Sequence, residues 1–181
     1  MEEETYSPTV HLESIMLSSL IDAYEKRHVR TINIKGKFLK AKVPDNLDSI
    51  VKMEGKSAEL MNKICLNFII EEDGIMYLKC VKALYGHVDM ARLFYDDLNK
   101  MLVDKMGFKR NQYDPCIYNK ETNDGVITAH THVDDIKISL KSEKQLDIVV
   151  NDFIKHYKEI TVHKEDSHDY LGMVMSHDIE N

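Results

Sequence analysis

The chain has 181 residues, of which 43% are hydrophobic and 30% are charged, and its formal net charge is −7 at pH 7. This length suits one domain with its own core, and this composition excludes a disordered chain. The acidic balance argues against a nucleic-acid-binding protein, whose usual footprint is basic, although a basic groove can coexist with an acidic remainder.

Cysteine content and hydropathy bear on where the protein resides. The three cysteines are too few and too scattered for a disulfide framework or a zinc knuckle, which favours a reducing environment. No apolar run approaches the roughly 20 residues that span a bilayer, and the acidic N-terminus does not have the features of a signal peptide. We therefore expect an intracellular protein without a membrane partner, and nothing separates a cytoplasmic from a nuclear location.

The first predicted element is a helix over residues 9–28, where apolar residues recur at helical spacing after a capping Ser7-Pro8 pair. A strand follows over residues 30–35 and is broken at Gly36, because glycine is a common turn residue.

The middle of the chain is predicted to alternate between poorly patterned and strongly patterned segments. Residues 41–75 are mixed and charged, and we expect an irregular lobe with one short helix there. A strand at residues 74–81 and a helix at residues 88–105 come next. A hairpin then follows, with Asp124-Gly125 at its turn.

The last third contains the strongest strand and helix patterns. Residues 135–140 alternate like a half-buried strand, and Ser142 with Gln145 forms the capping box of a helix that runs to about residue 156. The predicted buried face of this helix is formed by Leu146, Val149, Val150 and Phe153. Two strands close the chain. The order of elements favours an α+β fold, with a mixed sheet and the helices gathered on one face.

Two adjacent carboxylates, Asp134 and Asp135, lie between the two strand-like runs of "AHTHVDDIKISL". On composition alone a solvated turn explains them, because Asp is a favoured turn residue. The alternative is a cation site, since Mg²⁺ takes oxygen ligands and binds few protein carboxylates. A third acidic residue on a neighbouring strand would favour the cation site.

Several segments carry motifs in a fixed order along the chain. They are "EETYSPTVHLESIM", "INIKGKFLKAKVP", "YLKCVKALYGHVDMARLFYDDL", "MGFKRNQYDPCIY", "HVDD" and "YLGM". The fifth resembles the [YF]-x-D-D box of reverse transcriptases. The full series resembles, in order and spacing, the reverse transcriptase of Ty1/copia-type retrotransposons, which is a segment of the Pol polyprotein.

The resemblance implies a fold and a domain division. We expect one reverse-transcriptase-like domain over residues 1–181, with a palm of ferredoxin-like topology and partial fingers. The palm is assigned to about residues 5–40 and 76–181, and the fingers-like lobe to about residues 41–75. Thumb, connection and RNase H regions are expected to be absent, so the remaining Pol segments are expected partners.

The resemblance also implies an activity, which is RNA-directed DNA synthesis with two Mg²⁺ ions, a primer-template of RNA and DNA, and deoxynucleoside triphosphates. Such ions lower the pKa of a primer hydroxyl and stabilise the charge that develops in phosphoryl transfer. By position, Asp134 resembles the main metal-binding carboxylate and Asp135 its less demanding partner. Asn33 occupies the place of the first catalytic aspartate, and its amide has no negative charge to hold two cations.

Other residues receive roles through the same resemblance. Gly36, Lys37 and Phe38 are expected beside the incoming nucleotide. Lys37 replaces a small residue there, so that it either clashes with the triphosphate or meets a phosphate, and Phe38 is explained equally well as a core residue. Arg92 and His132 are the candidate contacts to nucleic acid.

The histidines are a second candidate for a metal site. His130 and His132 share one face of a strand, and His163 and His168 are five residues apart. No cysteine or third ligand has matching spacing, which argues against zinc.

Three functions remain open from the sequence. The first is a reverse transcriptase that is impaired or inactive because of Asn33. The second is a catalytically dead relic or a repurposed interaction module that keeps the palm fold. The third is a structural module without a nucleic-acid role, which the acidic charge mildly favours.

Overall fold

The computed structural model describes residues 7–36, 42–44, 48–65, 71, 73–82, 90–164 and 167–176. The predicted nucleotide contacts Lys37 and Phe38 lie outside these residues. The described helices are α1 (Leu12–Tyr24), α2 (Lys56–Ile64), α3 (Met90–Lys100), which continues into a π-helical turn (Met101–Lys105), and α4 (Glu143–Tyr157). The described strands are β1 (His28–Ile34), β2 (Ile50–Glu54), β3 (Ile75–Lys79), β4 (Lys109–Arg110), β5 (Ile117–Thr122), β6 (Gly125–His132), β7 (Asp135–Leu140), β8 (Ile160–His163), β9 (Ser167–Tyr170) and β10 (Met173–Ser176).

The main sheet has six strands in the order β4-β5-β6-β7-β1-β8, and each neighbouring pair is antiparallel. Its last four strands have the ferredoxin-like order, because α3 lies between β1 and β6 in the chain and α4 lies between β7 and β8. The connection from β1 to β6 passes over β7, and the connection from β7 to β8 passes over β1. The α+β class is confirmed, but the expected mixed sheet is corrected to an antiparallel one.

One face of the sheet packs against α3, the π-helical turn and α4. The apolar residues of this core come from the sheet (Ile32, Ile34, Ile136, Ile138, Leu140), from α3 and the turn after it (Phe94, Leu98, Met101, Leu102) and from α4 (Leu146, Val149, Val150, Phe153). The buried face predicted for α4 is therefore confirmed. It follows from apolar residues at helical spacing, which need another apolar surface to cover them.

The opposite face of the sheet is covered by α1, so the expectation that all helices share one face is wrong. Lys137 Nζ on β7 lies 2.5 Å from Asp22 Oδ2 on α1, and both side chains are buried. The Nζ atom also lies 3.4 Å from the Ser18 hydroxyl oxygen. Because β7 is covered on both faces, it is almost fully buried rather than half-buried as predicted.

The lobe expected at residues 41–75 is more regular than its sequence suggests. β2 and β3 pair in a separate two-stranded antiparallel sheet, and α2 lies between them in the chain. The charged residues that obscured this pattern alternate with partly buried ones on β2. The short helix is confirmed, whereas the irregular character of the segment is not.

Several predicted ends of elements differ in the structure. α1 begins after His11, whose backbone N–H donates to Asp114 Oδ2 at 3.0 Å. A carboxylate distant in the chain thus caps this helix in place of the predicted Ser7-Pro8 pair. Ser142 is the N-cap of α4, but its side chain makes no capping hydrogen bond. The β5–β6 turn lies one residue earlier than predicted, with Gly125 (φ 112°) already on β6.

The chain closes with β8, which joins the main sheet, and with a two-stranded sheet of β9 and β10. Two strands were predicted there, and the additional strand comes from the split of the last segment into a hairpin. Within the part of the chain that the structure covers, no helix is long and apolar enough to cross a membrane.

The buried pair of Lys137 and Asp22 predicts a large mutational effect. Lys137→Met leaves the Asp22 carboxylate buried, with Arg27 Nη1 3.9 Å away. We expect the free energy of unfolding to fall by about 3 kcal/mol, because removing one member of a buried ion pair strands the other. Urea denaturation followed by circular dichroism at neutral pH measures the change.

Two further variants control this measurement. Asp22→Leu combined with Lys137→Met should recover most of the lost stability, because no buried charge then remains without its partner. Lys141→Met, at an exposed lysine 3.7 Å from Glu25 Oε2, should change stability by less than about 1 kcal/mol. If the double variant lost as much stability as Lys137→Met and Asp22→Leu lose in sum, the proposed coupling would be contradicted.

Candidate functional site

The turn between β6 and β7 carries the Asp-Asp pair. β6 ends at His132 and β7 begins at Asp135, so Val133 and Asp134 form the turn. Val133 has a φ of 55°, which is a strained conformation for a β-branched residue. The backbone N–H of Ile34 donates to the Asp134 carbonyl oxygen at 3.1 Å, which fixes the turn against the end of β1.

Asn33 and Asp135 lie directly opposite each other in the β1–β7 ladder. The Asn33 Nδ2 atom donates to Asp135 Oδ1 at 2.7 Å. The structure therefore brings together the aspartate-replacing residue and the second carboxylate of the pair. Asp134 is tied to β1 through its backbone, and its predicted role as the main metal-binding carboxylate stays a prediction.

A small pocket of about 260 Å³ opens beside this hydrogen bond. The residues that line it come from β1, β7, β8 and β9, and they are Thr31, Ile32, Asn33, Asp135, Thr161, His163, Asp169 and Tyr170. Tyr170 is buried, its hydroxyl has no hydrogen-bond partner among the described residues, and burial raises the pKa of this phenol. The pocket thus combines two carboxylates, one neutral amide and a phenol.

The donor set does not fit a centre for two divalent cations. The described residues contain no group of three His, Cys, Asp or Glu side chains that could hold a metal ion. The Asn33 amide directs an N–H group at Asp135, where an anionic oxygen would be needed to share a cation. That Asp134 and Asp135 would hold a single ion stays a prediction.

The other predicted site residues fall in three places. His132 pairs with Asp135 across the β6–β7 ladder, and its Nδ1 atom is buried without a hydrogen-bond partner in the part of the chain that the structure describes. Gly36 lies in the turn after β1, with a φ of 60° that suits glycine. Arg92 lies on α3, where its Nε atom is 3.1 Å from Asp96 Oδ1, and it is not among the described residues that line the pocket.

Sequence reasoning missed part of the pocket. Thr161 and Asp169 come from strands that follow α4, and no motif marks them, while His163 stands out in the sequence only as one of two histidines five residues apart. Asp169 lies directly before the "YLGM" segment that carried the resemblance. An acidic residue next to that motif is the signal by which the sequence could have identified it.

The sheet face beneath α1 also has unusual electrostatics. His130 is 1% exposed, and neither ring nitrogen has a hydrogen-bond partner in the described structure. Burial, with the positive charge of Lys137 as the next cause, lowers the pKa of His130 to about 4. The imidazole is therefore neutral at pH 7.

Comparison with known proteins assigns the family. Residues 2–180 match the family described as reverse transcriptase (RNA-dependent DNA polymerase). Because this match covers nearly the whole chain, the protein belongs to the Ty1/copia-type reverse transcriptase family. The identification drawn from the sequence motifs is thereby confirmed. No curated protein matches the chain.

Solved structures of two telomerases also align with the chain. Apo telomerase from Candida tropicalis, truncated from its C-terminal domain, is 8% identical with a TM-score of 0.45 over 92% of this chain and 39% of its own. Telomerase from Candida albicans, in complex with a TWJ fragment of telomeric RNA, is 10% identical with a TM-score of 0.43 over 97% of this chain. The chain spans 35% of the length of the latter.

The neutral state of His130 predicts a pH-dependent loss of stability. Because its folded pKa of about 4 lies below the ordinary value of 6.5, the unfolded chain binds a proton first as pH falls. The contribution of His130 is complete above pH 6.5 and is lost toward pH 4. Between pH 7 and pH 5 we expect this group to remove roughly 2 kcal/mol from the free energy of unfolding.

The His130→Phe variant provides the comparison, because phenylalanine keeps the ring and does not titrate. Urea denaturation of both proteins at a series of pH values gives the difference in slope. Identical pH dependence in the two proteins would contradict the assignment of a buried neutral imidazole.

Proposed function

We propose that this protein is a reverse-transcriptase palm whose centre for nucleotidyl transfer is impaired. The proposal rests on one observation, the hydrogen bond from Asn33 Nδ2 to Asp135 Oδ1. The amide neutralises none of the positive charge that two Mg²⁺ ions would bring. The reaction class that the family supports is RNA-directed DNA synthesis, and in this chain we expect it to be very slow or absent.

The size of the expected impairment follows from electrostatics. Paired Mg²⁺ ions in such an enzyme activate the primer hydroxyl and offset charge on the phosphoryl group. Removing one group that stabilises developing charge typically costs on the order of a hundredfold to a thousandfold in rate. In this chain the Asn33 amide instead holds Asp135 by a neutral donor, so that the carboxylate is positioned without a cation.

The proposed partners follow from family membership. A primer-template of RNA and DNA, deoxynucleoside triphosphates and the remaining Pol segments are the molecules that such a palm would meet. We expect His132 to be a contact to these molecules, and its pairing with Asp135 in the β6–β7 ladder supports this expectation. Arg92 is engaged with Asp96 on α3, so a role in phosphate binding requires it to exchange that partner.

A second candidate function is an interaction module that keeps the palm fold. The observation in its favour is the outer face of α1, whose exposed side chains are Leu12, Met16, Leu17, Leu20 and Tyr24. Large exposed apolar patches are typical of protein-binding surfaces. The net charge of −7 agrees with a partner other than nucleic acid.

Cation binding tests the proposed impairment directly. We expect the native chain to bind Mn²⁺ weakly, and Asn33→Asp to bind it at least about tenfold more tightly, because a carboxylate replaces an amide beside Asp135. Electron paramagnetic resonance of free Mn²⁺ measures both affinities. Asn119→Asp, which adds the same charge on another strand, is the matched control and should leave the affinity unchanged.

The outcomes of this titration separate the alternatives. Tight binding of two Mn²⁺ ions by the native chain would contradict the proposal. Equal gains from Asn33→Asp and Asn119→Asp would show that net charge alone, and not the position opposite Asp135, governs affinity.

Primer extension tests the activity. With an RNA template, a DNA primer and either Mg²⁺ or Mn²⁺, we expect no template-dependent extension by the native chain above the level of an Asp135→Ala variant. The readout is single-nucleotide resolution of a labelled primer. Extension by the native chain that Asp135→Ala abolishes would overturn the assignment of an impaired centre.

Salt dependence separates the two candidate functions. A palm that still contacts phosphates should bind a primer-template with an affinity that falls as the salt concentration rises, because each phosphate contact displaces counterions from the nucleic acid. An interaction module should bind the same duplex weakly or with no such slope. Filter binding at several salt concentrations distinguishes these results.

A further inference from the structure

A second cavity lies on the sheet face beneath α1, away from the Asn33–Asp135 pair. It is a groove of about 570 Å³ between α1 and the β5–β6 hairpin. We refer to it as the α1 groove. Its apolar lining comes from Leu17 and Ile21 on α1 and from Ile117 and Val126 on the hairpin. The volume falls within the range of about 300–1,000 Å³ that is usual for small-molecule sites.

Most polar groups that line the α1 groove already have partners within the protein. Arg27 Nη1 donates to the Thr128 hydroxyl at 3.1 Å, and this hydroxyl donates to Asn119 Oδ1 at 3.1 Å. Asp114 accepts backbone N–H groups of His11 at 3.0 Å and of Cys116 at 2.9 Å. These groups define a fixed polar frame and leave little hydrogen-bonding capacity for a ligand.

His130 differs from these polar groups in its hydrogen bonding. It lines the floor of the α1 groove and is 1% exposed, yet neither of its ring nitrogens has a partner in the described structure. A neutral imidazole offers one donor and one acceptor, and burying both without partners is unfavourable. A donor and an acceptor without partners therefore lie directly behind the lining of the groove, and a ligand reaches them by displacing the side chains that cover them.

We propose that the α1 groove binds an uncharged, mainly apolar small molecule whose hydroxyl or amide group hydrogen-bonds to His130. An anion is disfavoured because the carboxylates of Asp114 and Glu25 line the groove. A cation is disfavoured because the guanidinium of Arg27 also lines the groove and is paired with Glu25. Such a ligand is unlike a nucleotide, whose phosphates carry negative charge, so this site does not rest on the proposed polymerase function.

Binding of 2-naphthol tests the proposal, because this probe has an apolar body and a single hydroxyl. We expect saturable binding to the full chain with a Kd below about 1 mM. The readout is nuclear magnetic resonance of the imidazole carbon–proton signals, in which the His130 signal is assigned by its loss in His130→Phe. The probe should shift this signal more than those of the other eight of the nine histidines.

A matched ligand isolates the hydrogen bond. 2-Methylnaphthalene has nearly the same shape but no hydroxyl, and we expect it to bind the native chain about 5-fold more weakly. In His130→Phe the two probes should bind equally. A preference for 2-naphthol that persists in His130→Phe would overturn the role of His130.

Two lysine substitutions on the same helix locate the site. Leu17→Lys removes an apolar side chain from the groove wall and should weaken 2-naphthol binding at least about tenfold, because the probe loses apolar contact area there. Leu12→Lys makes the same change at an exposed position of α1 that does not line the groove, and it should leave the affinity unchanged. Circular dichroism verifies that both variants are folded.

The results that overturn the proposal are specific. They are no saturable binding of 2-naphthol, binding that leaves the His130 signal in place, or equal weakening by Leu17→Lys and Leu12→Lys. The last of these would assign the probe to the exposed apolar face of α1 as a whole rather than to the groove.

Discussion

The register of the β1–β7 ladder determines both the candidate site and the packing of the domain. It places Asn33 opposite Asp135 and Thr31 opposite Lys137, so that these residues face α1 and the small pocket. The same register directs Ile32 and Ile136 into the core under α3 and α4. A slip by one residue would exchange the two faces, burying the polar set in the apolar core. Core packing therefore fixes the geometry of the site.

The polar face created by this register explains why α1 is oriented as it is. Lys137 cannot remain buried without an anion, and Asp22 supplies it from α1. The helix must consequently direct Asp22 and Ser18 inward, which leaves Leu17 and Leu20 exposed. The apolar outer face of α1 and the α1 groove beside it are thus consequences of one buried ion pair.

The sequence predicted those features that depend on local periodicity. The buried face of α4, the strand at β7 and the Asp-Asp turn each follow from residues close together in the chain. The antiparallel sheet, the position of α1 and the proximity of Asp169 to Asp135 depend on how distant segments pair. β7 was predicted to be half-buried because Lys137 marks a solvent-facing position in an isolated strand. Only its contact with Asp22, which is 115 residues earlier in the chain, reverses that interpretation.

The candidate site was predicted in composition but not in its pairing. The motif resemblance selected Asp134, Asp135 and Asn33, and the ladder then determined that Asp135 is the carboxylate hydrogen-bonded to Asn33. Two carboxylates in this position would repel each other unless a cation lay between them. An amide removes the repulsion and adds a donor, so the β1–β7 pairing is stable without any bound ion. Asn33 therefore removes a charge repulsion in the β1–β7 pairing that a bound cation would otherwise have to offset, which agrees with the proposal of an impaired centre.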